Sequence, residues 1–343
     1  MNIRFFIFCL STSLLFTLKV IAQKNDITYL DEDFREVEKS EASYYRLSQP
    51  HPDGTDKLFV QTYYSSGKIQ SNATCYTSLC IRKEGYYISY YENGNKKEEG
   101  HRVKGSKSGK WNRWYENGQL KESSSYIRGG KVGIWKTWYQ NGQIQSENES
   151  FEGNYSPSYL SSKLISYWDS TGTQLVSNGN GEVVYYYDKS NHPSSKGAYQ
   201  DGFKNGTWEG YTKEGQLSYR ETYRKNNVSG LSWDEEGNQY RYKELEVRAE
   251  PKIGYKRFSI YLDNALKYPE SAHKKGIEGR VYVQFEVDEE GNIINIELLK
   301  GIGKDCDAES VRIIKNSPKW NPGQMRGQPI VEKVILPITF KLT

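Results

Sequence analysis

The sequence predicts a mainly β protein: an array of antiparallel β-hairpin repeats, followed by a small α+β domain with a three-stranded antiparallel sheet and two helices. Three observations predict this. "YYENG", "WYENG" and "WYQNG" place turn glycines at Gly94, Gly118 and Gly142, a spacing of 24 residues. From about Pro251 the Asn-Gly turns vanish, and six of the ten prolines lie at or beyond that residue. Finally, 343 residues with 36% hydrophobic content and a mean hydropathy of -0.84 suit two or three small domains and are too polar for a helical membrane bundle.

Residues 1–22 read as a secretory signal: Arg4, an apolar run from Phe5 to Leu18, then Val20 and Ala22 at the small-residue positions of a cleavage site. The run is short for the roughly 20 residues a spanning helix needs. Cleavage after Ala22 is expected, so that the mature chain begins at Gln23; an uncleaved anchor is the alternative. Residues 23–57 form a lead segment. The net charge of +4 comes from 47 basic and 43 acidic residues without a basic stripe, which argues against nucleic-acid binding. In an exported protein, Cys75 and Cys80 of "CYTSLC" are a possible disulfide closing a small loop, leaving Cys306 unpaired.

The repeats occupy residues 58–247. Weaker copies of the motif end at Gly67, Gly172, Gly215 and Gly237, and a Gly-x-Trp precedes the turn at Trp111, Trp135 and Trp208. Asn-Gly between extended runs predicts a type I′ hairpin turn with positive φ at both residues. Alternation puts Trp111, Arg113 and Tyr115 on one face and Asn112 and Trp114 on the other. A single hairpin cannot bury both indoles, so stacked copies are expected to cover each other's aromatic faces. These residues resemble the MORN-repeat variant of bacterial proteins. A surface that stacks on sugar rings is the other use for such aromatics.

The segment 248–343 forms the second domain. "YPESAHKKGIEG" predicts a helix with Pro269 at its first position and Gly276 as its left-handed stop. Val281, Val283, Phe285 and Val287 then share one strand face; "DEEGN" turns the chain, and Ile294, Ile296 and Leu298 continue on a second strand. "KDCDAESVRIIKNSP" predicts a helix capped by Asp305 or Asp307, with Ala308, Val311 and Ile314 on its apolar stripe. The last run alternates Val334, Leu336, Ile338, Phe340 and Leu342, and Pro337 within it marks an edge or bulged strand, because proline cannot donate to a ladder.

No catalytic, cofactor-binding or metal-binding set emerges. His51, His101, His192 and His273 are far apart, no His-Glu-x-x-His or Gly-x-Ser-x-Gly is present, and "GSKSGKW" lacks the glycine spacing and the Ser or Thr of a phosphate loop. The chain therefore reads as non-enzymatic.

"YPESAHKKGIEGRVYVQFEVDEEGNI", "PKWNPGQMRGQPI" and "LPITFKL" closely resemble the TonB C-terminal domain over residues 255–343. Tyr268, Pro269, Gly276, Gly279, Gly291, Trp320, Pro322 and Gly323 are among the matching structural positions. The resemblance implies a periplasmic domain that captures an extended segment of an outer-membrane transporter by strand addition. It assigns the partner-binding edge to Val331, Lys333, Ile335, Pro337, Thr339 and Lys341. The expected partner is an extended peptide of an outer-membrane or periplasmic protein, and the expected location is the periplasm or the outer membrane's periphery. A genuine energy transducer, or an envelope structural protein whose repeats hold glycan or lipid, are the alternatives.

Overall fold

The structure, a computed structural model, describes residues 26–150, 162–187, 192–224 and 227–342. The signal segment and the expected cleavage position lie outside these residues. The chain divides into two compact units, residues 1–144 and 145–343.

The first unit is a meander of nine strands: β1 (Asp26–Leu30), β2 (Tyr44–Pro50), β3 (Leu58–Tyr64), β4 (Ile69–Cys75), β5 (Lys83–Tyr90), β6 (Lys96–Val103), β7 (Ser106–Trp114), β8 (Leu120–Ile127) and β9 (Gly130–Trp138). Each is antiparallel to the next. Two strands of the lead segment, β1 and β2, thus already belong to the sheet. The second unit continues this architecture with β10 (Ile144–Ser150), β11 (Ser162–Trp168), β12 (Gln174–Ser177), β13 (Asn180–Tyr186), β14 (Pro193–Gln200), β15 (Phe203–Tyr211), β16 (Leu217–Arg224), β17 (Asn227–Trp233) and β18 (Gln239–Tyr242).

The Asn-Gly turns are not type I′. Gly94, Gly118 and Gly142 have φ of 93°, 87° and 88°, whereas Asn93, Asn117 and Asn141 are absent from the positive-φ residues. The Gly94 N–H donates to the Tyr91 carbonyl at 2.9 Å, and the Tyr91 N–H to the Asn95 carbonyl at 2.8 Å. This is a three-residue loop, a type I turn closed by one left-handed glycine. The asparagine favours it because its Oδ1 accepts the N–H two residues on, at 2.9 Å for Asn95, 3.1 Å for Gln119 and 3.0 Å for Gln143. Its amide also reaches the next repeat: Asn93 Nδ2 donates to the Glu116 carbonyl at 2.7 Å and Asn117 Nδ2 to that of Gln140 at 3.0 Å. The motif tyrosines do the same, Tyr91 to Trp114 O and Tyr115 to Trp138 O, both at 2.9 Å. Type I′ geometry occurs instead at the opposite connections, Lys104-Gly105 (φ 51° and 86°) and Arg128-Gly129 (φ 50° and 87°).

The repeats also do not stack face to face. They join edge to edge through backbone ladders, and each buried indole lies across the neighbouring strand. Trp111 stands opposite Gly100, and a Cβ on that glycine would fall 2.3 Å from the ring. The Trp111 Nε1–H donates to the His101 carbonyl at 3.0 Å, the ring stacks with Tyr87 at 6.1 Å, and the Lys107 ammonium sits 4.1 Å from its centroid. Trp208 repeats this arrangement over Gly197, with Ala198 O at 3.0 Å, Tyr185 at 6.3 Å and Lys204 at 4.1 Å. The strand geometry rests on the glycine of Gly-x-Trp, which adopts φ 66° at Gly109 and 67° at Gly206.

The remaining elements are β19 (Glu246–Val247), β20 (Glu250–Pro251), α1 (Tyr255–Ala265), α2 (Glu270–Lys274), β21 (Gly279–Val287), β22 (Ile293–Lys300), α3 (Lys304–Lys315), β23 (Trp320–Asn321), β24 (Gly323–Met325), β25 (Gln328–Ile330) and β26 (Glu332–Phe340). The main sheet has the order β22-β21-β26. Among the described residues this domain has three α-helices, not two. The extra one, α1, starts from Gly254 without a side-chain cap and buries only Phe258, so it lacks both sequence signals of a helix. Pro269 caps α2 from outside instead of opening it. Gly303, not an aspartate, occupies the cap of α3; Asp307 sits in the first turn, where its Oδ1 accepts the Ile302 N–H at 2.9 Å. The buried stripe of α3 is Cys306, Ser310, Ile313 and Ile314, while Ala308 is exposed and Val311 only half-buried.

The hairpin β24–β25 ties this domain to the last repeats of its own unit. Its tip is a type I′ turn, Arg326-Gly327, with φ of 53° and 79°. Arg326 Nε donates to the fully buried Glu221 at 2.7 Å, its guanidinium stacks on Tyr219 at 3.9 Å, and the Tyr223 and Tyr242 hydroxyls both donate to the same carboxylate at 2.9 Å. Ser232 Oγ donates to the Arg326 carbonyl at 2.8 Å, and β19 pairs with β24. Burial first, and then the charge of Glu221, pushes both phenols above the usual tyrosine range. The neutral phenols are therefore the form the fold favours. Their contribution is complete below about pH 10, the unfolded value, and is lost as pH rises toward the folded value, by up to ~1.4 kcal/mol per pH unit per phenol. Above pH ~10 wild type is expected to lose unfolding free energy more steeply than Tyr242→Phe, as read from urea titrations across pH; equal slopes would contradict this.

Candidate partner-binding edge

β26 pairs with β21 in one unbroken register from Gly279↔Phe340 to Val287↔Glu332. Among the described residues no strand pairs along its other side. Its inward residues Val334, Leu336, Ile338 and Phe340 pack on the core of Phe258, Phe285, Ile313 and Trp320. The alternate residues Lys333, Ile335, Pro337 and Thr339 are exposed, Ile335 by 52%. Val331 and Lys341 flank the strand.

Both ends of β26 are held. Glu332 accepts the Ala249 N–H at 2.6 Å and an Arg248 Nη1–H at 2.9 Å. Beyond the strand, the Leu342 N–H donates to Glu278 at 2.5 Å. The result is a regular, anchored edge, unpaired on its outer side among the described residues, the arrangement that accepts an added strand. Pro337 is tolerated there because an edge strand needs ladder bonds on one side only, and it leaves one donor missing along the nine residues. The opposite edge, β22, differs. Its register with β21 shifts twice, and Asn295 adopts φ 50°. Such irregularity blunts an edge against pairing.

The motif residues build the frame behind this edge. Gly291, at φ 81°, lies under the Trp320 carbonyl, where a Cβ would come within 2.0 Å, and the Trp320 N–H donates to the Gly291 carbonyl at 3.0 Å. Trp320 packs edge-on against Phe285 and Phe258, at 5.3 and 5.4 Å. Tyr268 follows with its ring on Phe340 at 5.5 Å and its hydroxyl on the Ile277 carbonyl. Pro269 caps α2 and Gly276, at φ 65°, ends it. At Gly279 (φ 149°) a Cβ would crowd Ile302 at 3.0 Å. Pro322 separates β23 from β24, and Gly323 lets Glu332 approach, since a Cβ there would fall 2.4 Å from its Oε2.

Elsewhere, Cys75 and Cys80 are joined in a disulfide with Cα atoms 5.1 Å apart. Cys306 is buried, and burial, then Asp307 and Asp305, push its thiol pKa up, which does not suit a nucleophile. Among the described residues no group of three or more His, Cys, Asp or Glu is placed to hold a metal, and no helix is long and apolar enough to cross a membrane. Sequence reasoning missed Glu332, which holds the start of the edge strand, and the Glu221–Arg326 pair, which holds the tip of the hairpin before it. The only signal was a glutamate at an alternation-inward position of "SYRETYR".

Residues 264–342 match the family model of the Gram-negative bacterial TonB protein C-terminal, and residues 83–104, 107–128 and 131–151 match that of the MORN repeat variant. The chain is similar to protein TonB of Vibrio cholerae serotype O1, 36% identical over 77 residues that make up 22% of this chain and 31% of that protein. It is also similar to protein TonB of Xanthomonas campestris pv. campestris, 30% identical over 80 residues, 23% of this chain and 35% of that protein. The chain thus spans about a third of the length of the curated relatives it matches.

Proposed function

We propose that this is an exported, non-enzymatic binding protein of the periplasm or the outer membrane's periphery. Its C-terminal domain takes an extended peptide from an outer-membrane or periplasmic protein as a fourth strand beside β26. The observation that carries this reading is the regular edge of β26, unpaired on one side among the described residues and pinned at both ends. The similarity to TonB C-terminal sequences supports the same mode. Ile335 offers an apolar contact to the incoming strand, and Lys333 and Lys341 at the ends favour acidic neighbours in it. A role in TonB-linked transport follows if the peptide belongs to a transporter.

The test is calorimetric titration of the full chain with ten-residue peptides from the periplasm-facing segments of outer-membrane transporters of the source organism. At least one peptide is expected to bind, and Ile335→Pro, which removes a backbone donor and an apolar contact, is expected to weaken it by roughly tenfold or more. Equal binding by Ile335→Pro would reject the edge as the site.

A further inference from the structure

The first unit contains a cleft of about 350 Å³ lined by two cations, Arg46 and Lys83, with a third, Arg102, behind it on the Tyr87 ring. Its floor is formed by Arg46 and Tyr87, which are 7% and 9% exposed, with Lys83 at the side. Its rim is apolar: Phe34, Leu79 and Ile81, the last 84% exposed. Arg46 Nε donates to Thr62 Oγ1 at 3.3 Å and Nη1 to the Leu79 carbonyl at 2.7 Å, and weakly to Ser78 O at 3.5 Å, so its contacts are all neutral. Lys83 Nζ lies 5.4 Å and Arg102 Cζ 5.6 Å from the Tyr87 ring centroid. None of these three cations forms an ion pair among the described residues, and Arg102 Nε is buried without a hydrogen-bond partner. The nearby Glu98 is engaged by Lys107 at 3.3 Å.

Gathering like charges in a partly desolvated place is unfavourable, and the burial of Lys83, then the charges of Arg102 and Arg46, depress its pKa accordingly. An anion would relieve this repulsion. The meander itself does not require the Lys83 ammonium, which makes no hydrogen bond among the described residues, whereas the Arg46 guanidinium also anchors the loop closed by Cys75 and Cys80. The apolar rim and the tyrosine beneath it call for more than an inorganic ion. At ~30 Å³ per water-sized group, the cleft holds about a dozen such groups.

We propose that this cleft binds an organic carboxylate with an apolar body. The carboxylate sits between Arg46 and Lys83, and the body lies on Tyr87 and against Phe34, Leu79 and Ile81. A medium-chain fatty acid and the free C-terminus of a peptide ending in an apolar residue share this chemistry.

The experiment is calorimetric titration of the full chain with octanoate, with acetyl-Ala-Ala-Phe, and with the controls octanol, acetyl-Ala-Ala-Phe amide and inorganic phosphate. One or both carboxylates are expected to bind at one site with a Kd of about 1 mM or tighter, and the neutral controls not to bind. The carboxylate that binds identifies the source. Lys83→Gln and Ile81→Asp are each expected to weaken binding about tenfold. Ile81 is a surface position, so its variant keeps the test open if Lys83→Gln unfolds, which thermal melting reports. Absence of binding by both carboxylates, equal binding of the neutral controls, binding of phosphate alone, or undiminished affinity in a folded variant overturns the proposal.

Discussion

Arg326→Ala is expected to cost the second unit ~3–5 kcal/mol of unfolding free energy, because it leaves Glu221 as a buried charge without its cationic partner. Two phenols would remain to hydrogen-bond the carboxylate, but neither supplies the charge. The backbone of residue 326 stays bonded to Ser232 and Leu245 in the variant, so the loss reports the side-chain pair and not a detached hairpin. Urea denaturation followed by tryptophan fluorescence measures the loss. The double variant Glu221→Gln, Arg326→Met removes both charges while keeping much of the volume, and is expected to recover most of it. A deficit below ~1 kcal/mol for Arg326→Ala would mean that the pair contributes no more than an exposed bridge.

Trp208→Ala is expected to be of similar severity, ~3–5 kcal/mol, since the ring is fully buried and fills the space above Gly197. The complementary change Gly197→Ala forces a Cβ to within 2.3 Å of the same ring. Overpacking of this kind costs typically ~1–3 kcal/mol. If the two positions form one unit, the Gly197→Ala, Trp208→Ala pair is expected to lose less than the sum of the single changes, because the clash needs the ring. Strict additivity in the same denaturation assay would separate them.

The letters that repeat every 24 residues were legible because each has a local consequence. Glycine at the turn, alternation in the strands and the tryptophan all act within one hairpin. The turn type was not legible, since asparagine suits two geometries: it tolerates left-handed φ, and it also accepts an N–H two residues on from a right-handed one. At Asn93, Asn117 and Asn141 the second wins, and the side-chain amides of Asn93 and Asn117 are free to bond the next repeat. The face of the tryptophans failed for a different reason. Alternation says that Trp111 and Trp114 oppose each other, but not that a glycine one strand away will receive the first ring.

In the C-terminal domain the edge strand was readable from its own residues, since Val334, Leu336, Ile338 and Phe340 alternate around Pro337. Helix α1 was not, because Gly254 supplies no side-chain cap and Phe258 is its one fully buried residue. Nor was the Glu221–Arg326 pair, whose members are 105 residues apart in sequence. No local pattern records such a meeting. Periodicity therefore gave the strand and its two faces, the resemblance to the TonB C-terminal domain gave its expected role as a partner-binding edge, and the residues that pin its ends came only with the structure.

The most direct measurement of the central reading is amide hydrogen exchange on the full chain with and without a bound peptide from the panel. Strand addition predicts that the β26 amides facing away from β21, on alternate residues of Glu332–Phe340, gain protection, while those of β22, Ile293–Lys300, keep their free rates. Protection at β22, or at the repeats with β26 unchanged, would contradict it.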